Sequence, residues 1–321
     1  MSIISFKVAK PVDLKVVPEA IEKTINDIRV VNNLELHSFL MLRSGVLIWE
    51  EYFRENELTT LHPLYSVTKS FTSSAIGLAE AQGLLSLNDK VYDFFPEYSS
   101  LCDSEYKKGL TLKHLLMMGS GFSNNEIEIF QSTDNIIERA LAQPIIHEPG
   151  TYFDYYSLGS HLLSAVLNKV YPYGIYEYLK RKLFSPMGFG ESKWMEDSSG
   201  INMGGFGLEL AAYDLAKFGQ LYLQKGNWEG QQLISSSYID AATSKQISNA
   251  NHPSGNPDWT AGYGYQFWKC RMGGFRADGM DGQYIIVLPE KQVVIVMTSS
   301  LKDMQIPLTV IQNQLLPAIL D

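Results

Sequence analysis

The sequence predicts an α/β domain built from both ends of the chain, with a mostly helical region inserted between them. Three observations lead there. A hairpin pattern lies near the N-terminus, HSFLMLRSGV and then VLIWEEYF, turning at Arg43-Ser44-Gly45. Strand-like runs return near the other end at Tyr263–Cys270, Gln283–Leu288 and Val293–Ser299, the last two joined by a Pro-Glu-Lys turn. From Leu84 to about Gly200 the text is mostly helical, with loops rich in Ser, Asn, Gly and Pro. The expected division is residues 1–83 with 204–321 as the α/β domain and 84–203 as a helical insertion domain, with the active site in the cleft between them.

The remaining elements follow in order. Ala20, Ile21, Ile25 and Ile28 recur at helical spacing, which predicts a helix from Pro18 to Val30. After Pro63 a second helix starts near Ser66 and runs to Gln82, where Gly83 closes it. A long helix is expected over Leu208 to Gln224, and an amphipathic one over Ile306 to Leu320. No internal repeat interrupts this order.

Composition narrows the function. The 321 residues are 45% hydrophobic, enough to bury a large core and to exclude wholesale disorder. No apolar run approaches the roughly 18 residues that span a bilayer. The opening MSIISFKVAKPVDLKVVPEA is broken by Lys7, Lys10, Pro11 and Asp13, so it does not read as a secretory segment. A cytoplasmic protein without membrane partners is the expectation. Thirty-five acidic against 26 basic residues give a net charge of −9 with no basic cluster, which argues against nucleic-acid binding. Cys102 and Cys270 form no CxxC and read as small apolar thiols. The six histidines are scattered without ligand spacing, so neither a metal nor another cofactor is expected.

Most catalytic signatures are absent: there is no GxSxG, no HExxH and no phosphate loop ending in Gly-Lys. What remains is Ser-x-x-Lys, found at Ser66–Lys69, Ser104–Lys107 and Ser299–Lys302. The second lies in a polar loop and the third at a strand end. Only Ser66 opens an apolar helix, SVTKSFTSSAIGLAEAQG. There, residues three apart share a face, so the Lys69 amine can meet the Ser66 hydroxyl. The helix N-terminus favours negative charge on that oxygen. A desolvated lysine loses its proton readily and can act as a base. On four residues alone, a serine cap followed by a surface lysine is the simpler reading.

Longer segments change that weighting. LYSVTKSFTSSAIGLAEAQGLLSLNDKVYDFFPEY resembles the opening motif of the serine β-lactamase-like hydrolases, which include class C β-lactamases, DD-peptidases, esterases and 6-aminohexanoate-dimer hydrolases. LTLKHLLMMGSGF, EPGTYFDYYSLGSHLLSAVLNKV, GGFGLELAAYDLAKFGQLYLQKGNWEGQQLIS and RADGMDGQYIIVLPEKQVVIVMTS are similar to later segments of that family, in the same order. The resemblance covers roughly Leu61 to Ser299. It implies a β-lactamase/transpeptidase-like fold, an antiparallel sheet flanked by helices with a mostly helical insertion.

Carried over residue by residue, Ser66 matches the acylated nucleophile, Lys69 its activating partner and Tyr155 the proton relay. A phenol near an ammonium is expected to shed its proton at modest cost. The implied oxyanion hole is the backbone N–H of Ser66 and of Met280. Gly279 and Gly282 would let their strand approach the substrate. Ser157 stands where the family has asparagine. The third motif, usually Lys or His, a small residue and Gly, reads Ala277-Asp278-Gly279. Alanine cannot hold a substrate carboxylate and Asp278 would repel one. Arg276 should point to the face opposite Ala277. The A-x-G-x-x-G-Q form ending in Gln283 resembles the esterase and aminohexanoate branch. Ser157, Ala277, Asp278, Gly279 and Gln283 are thus the expected substrate-binding positions. Asp154 and Asp281 lie near the motifs as solvated carboxylates. Trp259, Tyr263, Tyr265 and Trp268 are assigned to core packing ahead of pocket lining, and Met117 and Met118 to packing.

The resulting expectation is a cofactor-free serine hydrolase that takes a small ester or amide through an acyl-enzyme. β-Lactamase or DD-peptidase activity is the alternative. A catalytically silent ligand-binding protein is the second, supported by Ser157 and Ala277.

Overall fold

In the computed structural model, residues 5–31, 35–124, 126–130 and 135–320 are described. Strand β1 (Lys7–Val8) precedes helix α1 (Pro18–Val31), whose first-turn proline suits a position that needs no amide donor. Ile21, Ile25 and Ile28 form its buried stripe. The hairpin follows as β2 (Leu36–Arg43) and β3 (Val46–Tyr52). Its two-residue turn puts Ser44 at φ 51° and Gly45 at φ 77°, the double positive φ that matches strand twist.

Next come β4 (Leu61–Pro63), a 3-10 turn at Tyr65–Val67 and α2 (Thr68–Ala81). The middle of the chain supplies α3 (Glu105–Gly109), α4 (Leu112–Leu116), α5 (Glu126–Phe130), α6 (Ile136–Ala142), α7 (Ser157–Val170) and α8 (Gly174–Leu179). Then follow β5 (Lys193–Trp194), β6 (Leu208–Ala211), α9 (Ala212–Leu223), β7 (Asn227–Trp228), β8 (Gln231–Gln232) and α10 (Ser236–Thr243). The end of the chain gives β9 (Trp268–Lys269), β10 (Phe275–Gly279), β11 (Gln283–Leu288), β12 (Val293–Ser299) and α11 (Gln305–Val310).

The main sheet runs β1-β3-β2-β12-β11-β10-β9, antiparallel except for the β1–β3 pair. The two ends of the chain therefore meet at its centre, where Met41 faces Ile295 and Leu40 faces Val296. Alternation then sends Leu40, Leu42, Val294 and Val296 to one side and Phe39, Met41, Ile295 and Met297 to the other. The first set packs against α9, in one core with residues of α2 and α7, and the second shares a core with α1 and α11. This is a helix–sheet–helix sandwich with apolar cores on both faces. The first core is continuous into α4, α6 and α7 of the middle region, and a small sheet β4-β6-β5 joins that region to the start of α2.

Several elements differ from the sequence expectation. The helix expected over Leu208–Gln224 begins at Ala212, because Leu208–Ala211 pairs with β4. Of Tyr263–Cys270 only Trp268–Lys269 is strand. Gln266 at φ 62° breaks the run, held by side-chain bonds to the carbonyls of Leu115 and Leu116. The expected Ile306–Leu320 helix is α-helical only to Val310, then forms a π turn and a 3-10 turn that contains Pro317. Cys102 and Cys270 are both free thiols.

Candidate active site

Ser66 does not open the α-helix. It lies one step earlier, in the 3-10 turn before α2, and Tyr65 ahead of it is held at φ 46°. A non-glycine residue there is strained, and the strain falls on the nucleophile turn. The Tyr65 side chain bonds to Asp281, tying that turn to the one after β10. The spacing places Lys69 in the first turn of α2, where its Nζ lies 3.0 Å from Ser66 Oγ and donates to the Gly205 carbonyl at 2.8 Å. Lys69 is 1% exposed. Burial lowers its pKa from 10.5 to about 8, against the pull of the Glu126 and Asp278 carboxylates.

Tyr155 comes from the loop before α7. Its hydroxyl bonds to Ser66, and its ring lies 4.8 Å from the Lys69 amine and stacks on Trp268 at 5.4 Å. Burial pushes the phenol well above its ordinary range. The expectation of an easily lost proton is therefore corrected: the ammonium faces the ring, and Tyr155 rests protonated. Lys69 is the group that can be deprotonated near neutral pH.

The expected third motif does not present all of its residues to the cleft. Gly279 faces the nucleophile turn, and a Cβ there would sit 2.3 Å from the Leu64 carbonyl and 3.2 Å from the Ser66 nitrogen. Only glycine lets β10 run so close. Met280 follows and lines the cleft beside Ser66. Ala277, however, is buried in the core against the helices rather than in the cleft. Asp278 is also buried and accepts from Arg276 Nε at 2.9 Å, so it is not a free carboxylate. Arg276 points away from Ala277, as strand alternation requires. Gln283 is not a substrate ligand either. Its amide donates to Ser299 O at 2.6 Å and to Met280 O at 3.3 Å, so it braces the turn. The serine of the third Ser-x-x-Lys, Ser299, bonds to the Asp281 and Gly282 carbonyls, while Ser104 caps α3.

Ser157 lines the cleft, and its N–H donates to Glu126 at 2.5 Å. Glu126 was not singled out from sequence, nor were Gly205 and Lys193. The Gly204-Gly205 pair was a visible signal of close backbone approach; isolated Glu and Lys gave none. Asp154 accepts from Asn124 and Asp281 bonds to Tyr65. Tyr263, Tyr265 and Trp268 are core, and Trp259 lies against Arg276. Met117 and Met118 are buried, with Met118 Sδ accepting from the Tyr156 N–H.

The cleft encloses about 620 Å³. Tyr65, Trp194, Met195, Phe206 and Met280 make it largely apolar, with Lys193 and Glu209 opposite each other across β5 and β6. A second hollow of about 530 Å³ holds Lys217, whose amine is committed to Asp214 at 2.9 Å, so no nucleophile–base pair faces it. Among the described residues no group of three or more His, Cys, Asp or Glu is placed to hold a metal, and no helix is long and apolar enough to cross a membrane.

The sheet, its helical layers and the Ser66–Lys69–Tyr155 cluster define a β-lactamase/transpeptidase-like fold. The sequence profile of the Beta-lactamase family matches residues 38–307, and the chain belongs to that family. Among solved structures, a Bacillus anthracis protein proposed to be a 6-aminohexanoate-dimer hydrolase superposes with TM-score 0.80 at 20% identity, covering 99% of this chain and 87% of its own. A family VIII carboxylesterase gives TM-score 0.72 at 18% identity, covering 95% and 98%. Penicillin-binding protein 4* of Bacillus subtilis (strain 168) is 25% identical over 181 residues, 50% of this chain and 39% of that one. The chain thus matches well under half the length of this curated relative.

Proposed function

We propose that this protein is a serine hydrolase that cleaves a small ester or amide through an acyl-enzyme on Ser66. The observation that carries the reading is the 3.0 Å contact between Ser66 Oγ and a buried amine whose pKa lies near 8. Neutral Lys69 takes the Ser66 proton as Oγ attacks the substrate carbonyl. The N–H groups of Ser66 and Met280 receive the developing oxyanion. Tyr155 gives its hydroxyl proton to the leaving oxygen or nitrogen and regains one from Lys69. Water then enters and attacks the acyl carbonyl as it loses a proton to the same pair, and the pair returns that proton to Ser66 Oγ as the acid leaves.

The cleft favours a substrate that is apolar beside the carbonyl, given Trp194, Phe206, Met195 and Met280. The test is hydrolysis of a nitrophenyl ester, with acylation followed by intact mass. Ser66→Ala must lose both; full activity in that variant ends the proposal. No mass shift in the wild type with a fluorophosphonate or a β-lactam would instead favour the catalytically silent reading.

One observation supports a second reading. Lys193 puts a cation in the cleft wall, in a position to attract a substrate carboxylate. β-Lactamase or DD-peptidase activity would use it. Rapid nitrocefin turnover that falls in Lys193→Ala would put this reading first.

A further inference from the structure

This inference rests on the assignment of Ser66 and Lys69 above. The acceptor that holds the Lys69 amine from the other side is the Gly205 carbonyl, part of a two-glycine stretch with no side chains to anchor it. Two residues anchor it instead. Thr72 Oγ1 donates to the Gly204 carbonyl at 2.7 Å. The Gly204 N–H donates to His161 Nδ1 at 3.4 Å. On the far side of the ring, His161 Nε2 lies 3.0 Å from Asp197 Oδ2, and these two side chains are 0% and 1% exposed. Nδ1 accepts from the Gly204 amide, which leaves Nε2 as the ring nitrogen that faces Asp197 as donor. Asp197 is fixed in turn by the N–H groups of Ser199 and Ile201, at 2.8 and 2.9 Å.

The stretch also lies flush on α7. A Cβ on Gly204 would stand 2.1 Å from the Ser160 carbonyl, and one on Gly205 would stand 3.5 Å from Lys69 Nζ. A small shift of this backbone therefore moves the carbonyl that aims the amine. We propose that His161, oriented by Asp197, is a positioning residue for the reaction: it fixes Gly204 so that the Gly205 carbonyl holds Lys69 on Ser66. His161 touches neither the cleft nor the reacting atoms. The charges facing Lys69 are Glu126 from α5 and Asp278 from β10, with the Tyr155 phenol beside them. Asp197 faces His161. Substitution at 161 removes none of these charged groups, so its effect on Lys69 comes through the Gly205 carbonyl.

Two substitutions separate the ring nitrogens. In His161→Asn the amide oxygen occupies the place of Nδ1 and still accepts from Gly204. His161→Gln reaches Asp197 but offers Gly204 nothing. Thr72→Val releases the same backbone from its other side with a near-isosteric change. The readouts are the rate of Ser66 labelling by a fluorophosphonate, KM for a nitrophenyl ester, and deuterium uptake of the peptide over residues 203–206. His161→Gln and Thr72→Val should label about tenfold slower or more, with KM within about twofold and faster exchange, because misaligned reacting groups lose rate before binding. His161→Asn should recover to within about threefold of wild type. Labelling by folded His161→Gln or Thr72→Val at the wild-type rate overturns the inference, as does His161→Asn as slow as His161→Gln. If His161→Gln does not fold, Thr72→Val decides. If wild-type Ser66 takes no label, the hydrolase reading has failed, and unchanged exchange in both variants then overturns the positioning role separately.

Discussion

Arg276 Nε donates to the Asp278 carboxylate at 2.9 Å, a buried pair formed between two residues on the same face of β10. Arg276 is also packed over the rings of Trp259 and Trp268. The pair neutralises a carboxylate that would otherwise stand bare beside Lys69 and Tyr155. Burial raises the Asp278 pKa, and Arg276 opposes that rise. Removing one partner leaves a desolvated charge, whereas removing both does not. Arg276→Met should cost about 3–5 kcal/mol in chemical denaturation, and Arg276→Met with Asp278→Asn distinctly less. Equal losses in the single and double variants would mean that packing, not charge, holds this corner.

Lys69 ties activity and stability to pH with opposite demands. Its folded pKa of about 8 lies below the ordinary 10.5. kcat/KM should therefore rise with pH and level off above about 8. Glu126→Gln should move that rise to lower pH, since the carboxylate favours the ammonium. For stability, the unfolded chain binds the extra proton between the two pKa values, so folding gains as pH climbs from about 8 toward 10.5. Below pH 8 the full penalty is present, about 3 kcal/mol. Lys69→Met should abolish turnover, raise stability at pH 7 by about 1–3 kcal/mol, and flatten this pH dependence. A Lys69→Met protein less stable than wild type at pH 7 would show that the bonds to Ser66 and Gly205 outweigh burial.

The Ser66–Lys69 spacing is local and so visible in the sequence, but alone it reads as a cap and a surface lysine, and the family segments around it give it weight. Tyr155 was one of 18 tyrosines and became visible only through the family segment around it. Asp278 and Gln283 read as cleft positions because a strand's outward face depends on register with its neighbours, whereas Ala277 shares the face of Gly279 but lies further along β10, over the core. The pairing of Gly279 with Gln283 and of Tyr284 with Met297 sends Gln283 toward Ser299 instead. Gly205, Glu126 and Lys193 reach the site from segments far along the chain; the paired glycines signal a close backbone approach at Gly205, and nothing in the immediate sequence of Glu126 or Lys193 indicates theirs. Leu208–Ala211 reads as helix because its apolar residues continue the helical period, and only its pairing with β4 makes it strand.

Gly279 has ordinary extended dihedrals, φ −139° and ψ 157°, so alanine is not excluded by conformation. The obstacle is contact alone, 2.3 Å to the Leu64 carbonyl. Gly279→Ala must push β10 off the nucleophile turn and separate the two main-chain donors. The expected result is a stability loss of about 1–3 kcal/mol with a fall in kcat of about a hundredfold. A stable variant with wild-type kcat would remove Met280 from the oxyanion site.

Tyr155→Phe distinguishes the base from the acid. The ring stack on Trp268 survives and only the hydroxyl bonded to Ser66 is lost, so stability should change by about 1 kcal/mol or less. Because the phenol is pushed up rather than down, it cannot be the resting base, and its contribution falls on the leaving group. Fluoride needs no proton to leave, so fluorophosphonate labelling of Ser66 in Tyr155→Phe should stay within about tenfold of wild type. Amide turnover, where the departing nitrogen must be protonated, should fall by about 10²–10⁴. A nitrophenyl ester should lie between them. If labelling and amide turnover fall together, Tyr155 rather than Lys69 takes the Ser66 proton, and the division of labour drawn from their burial is reversed.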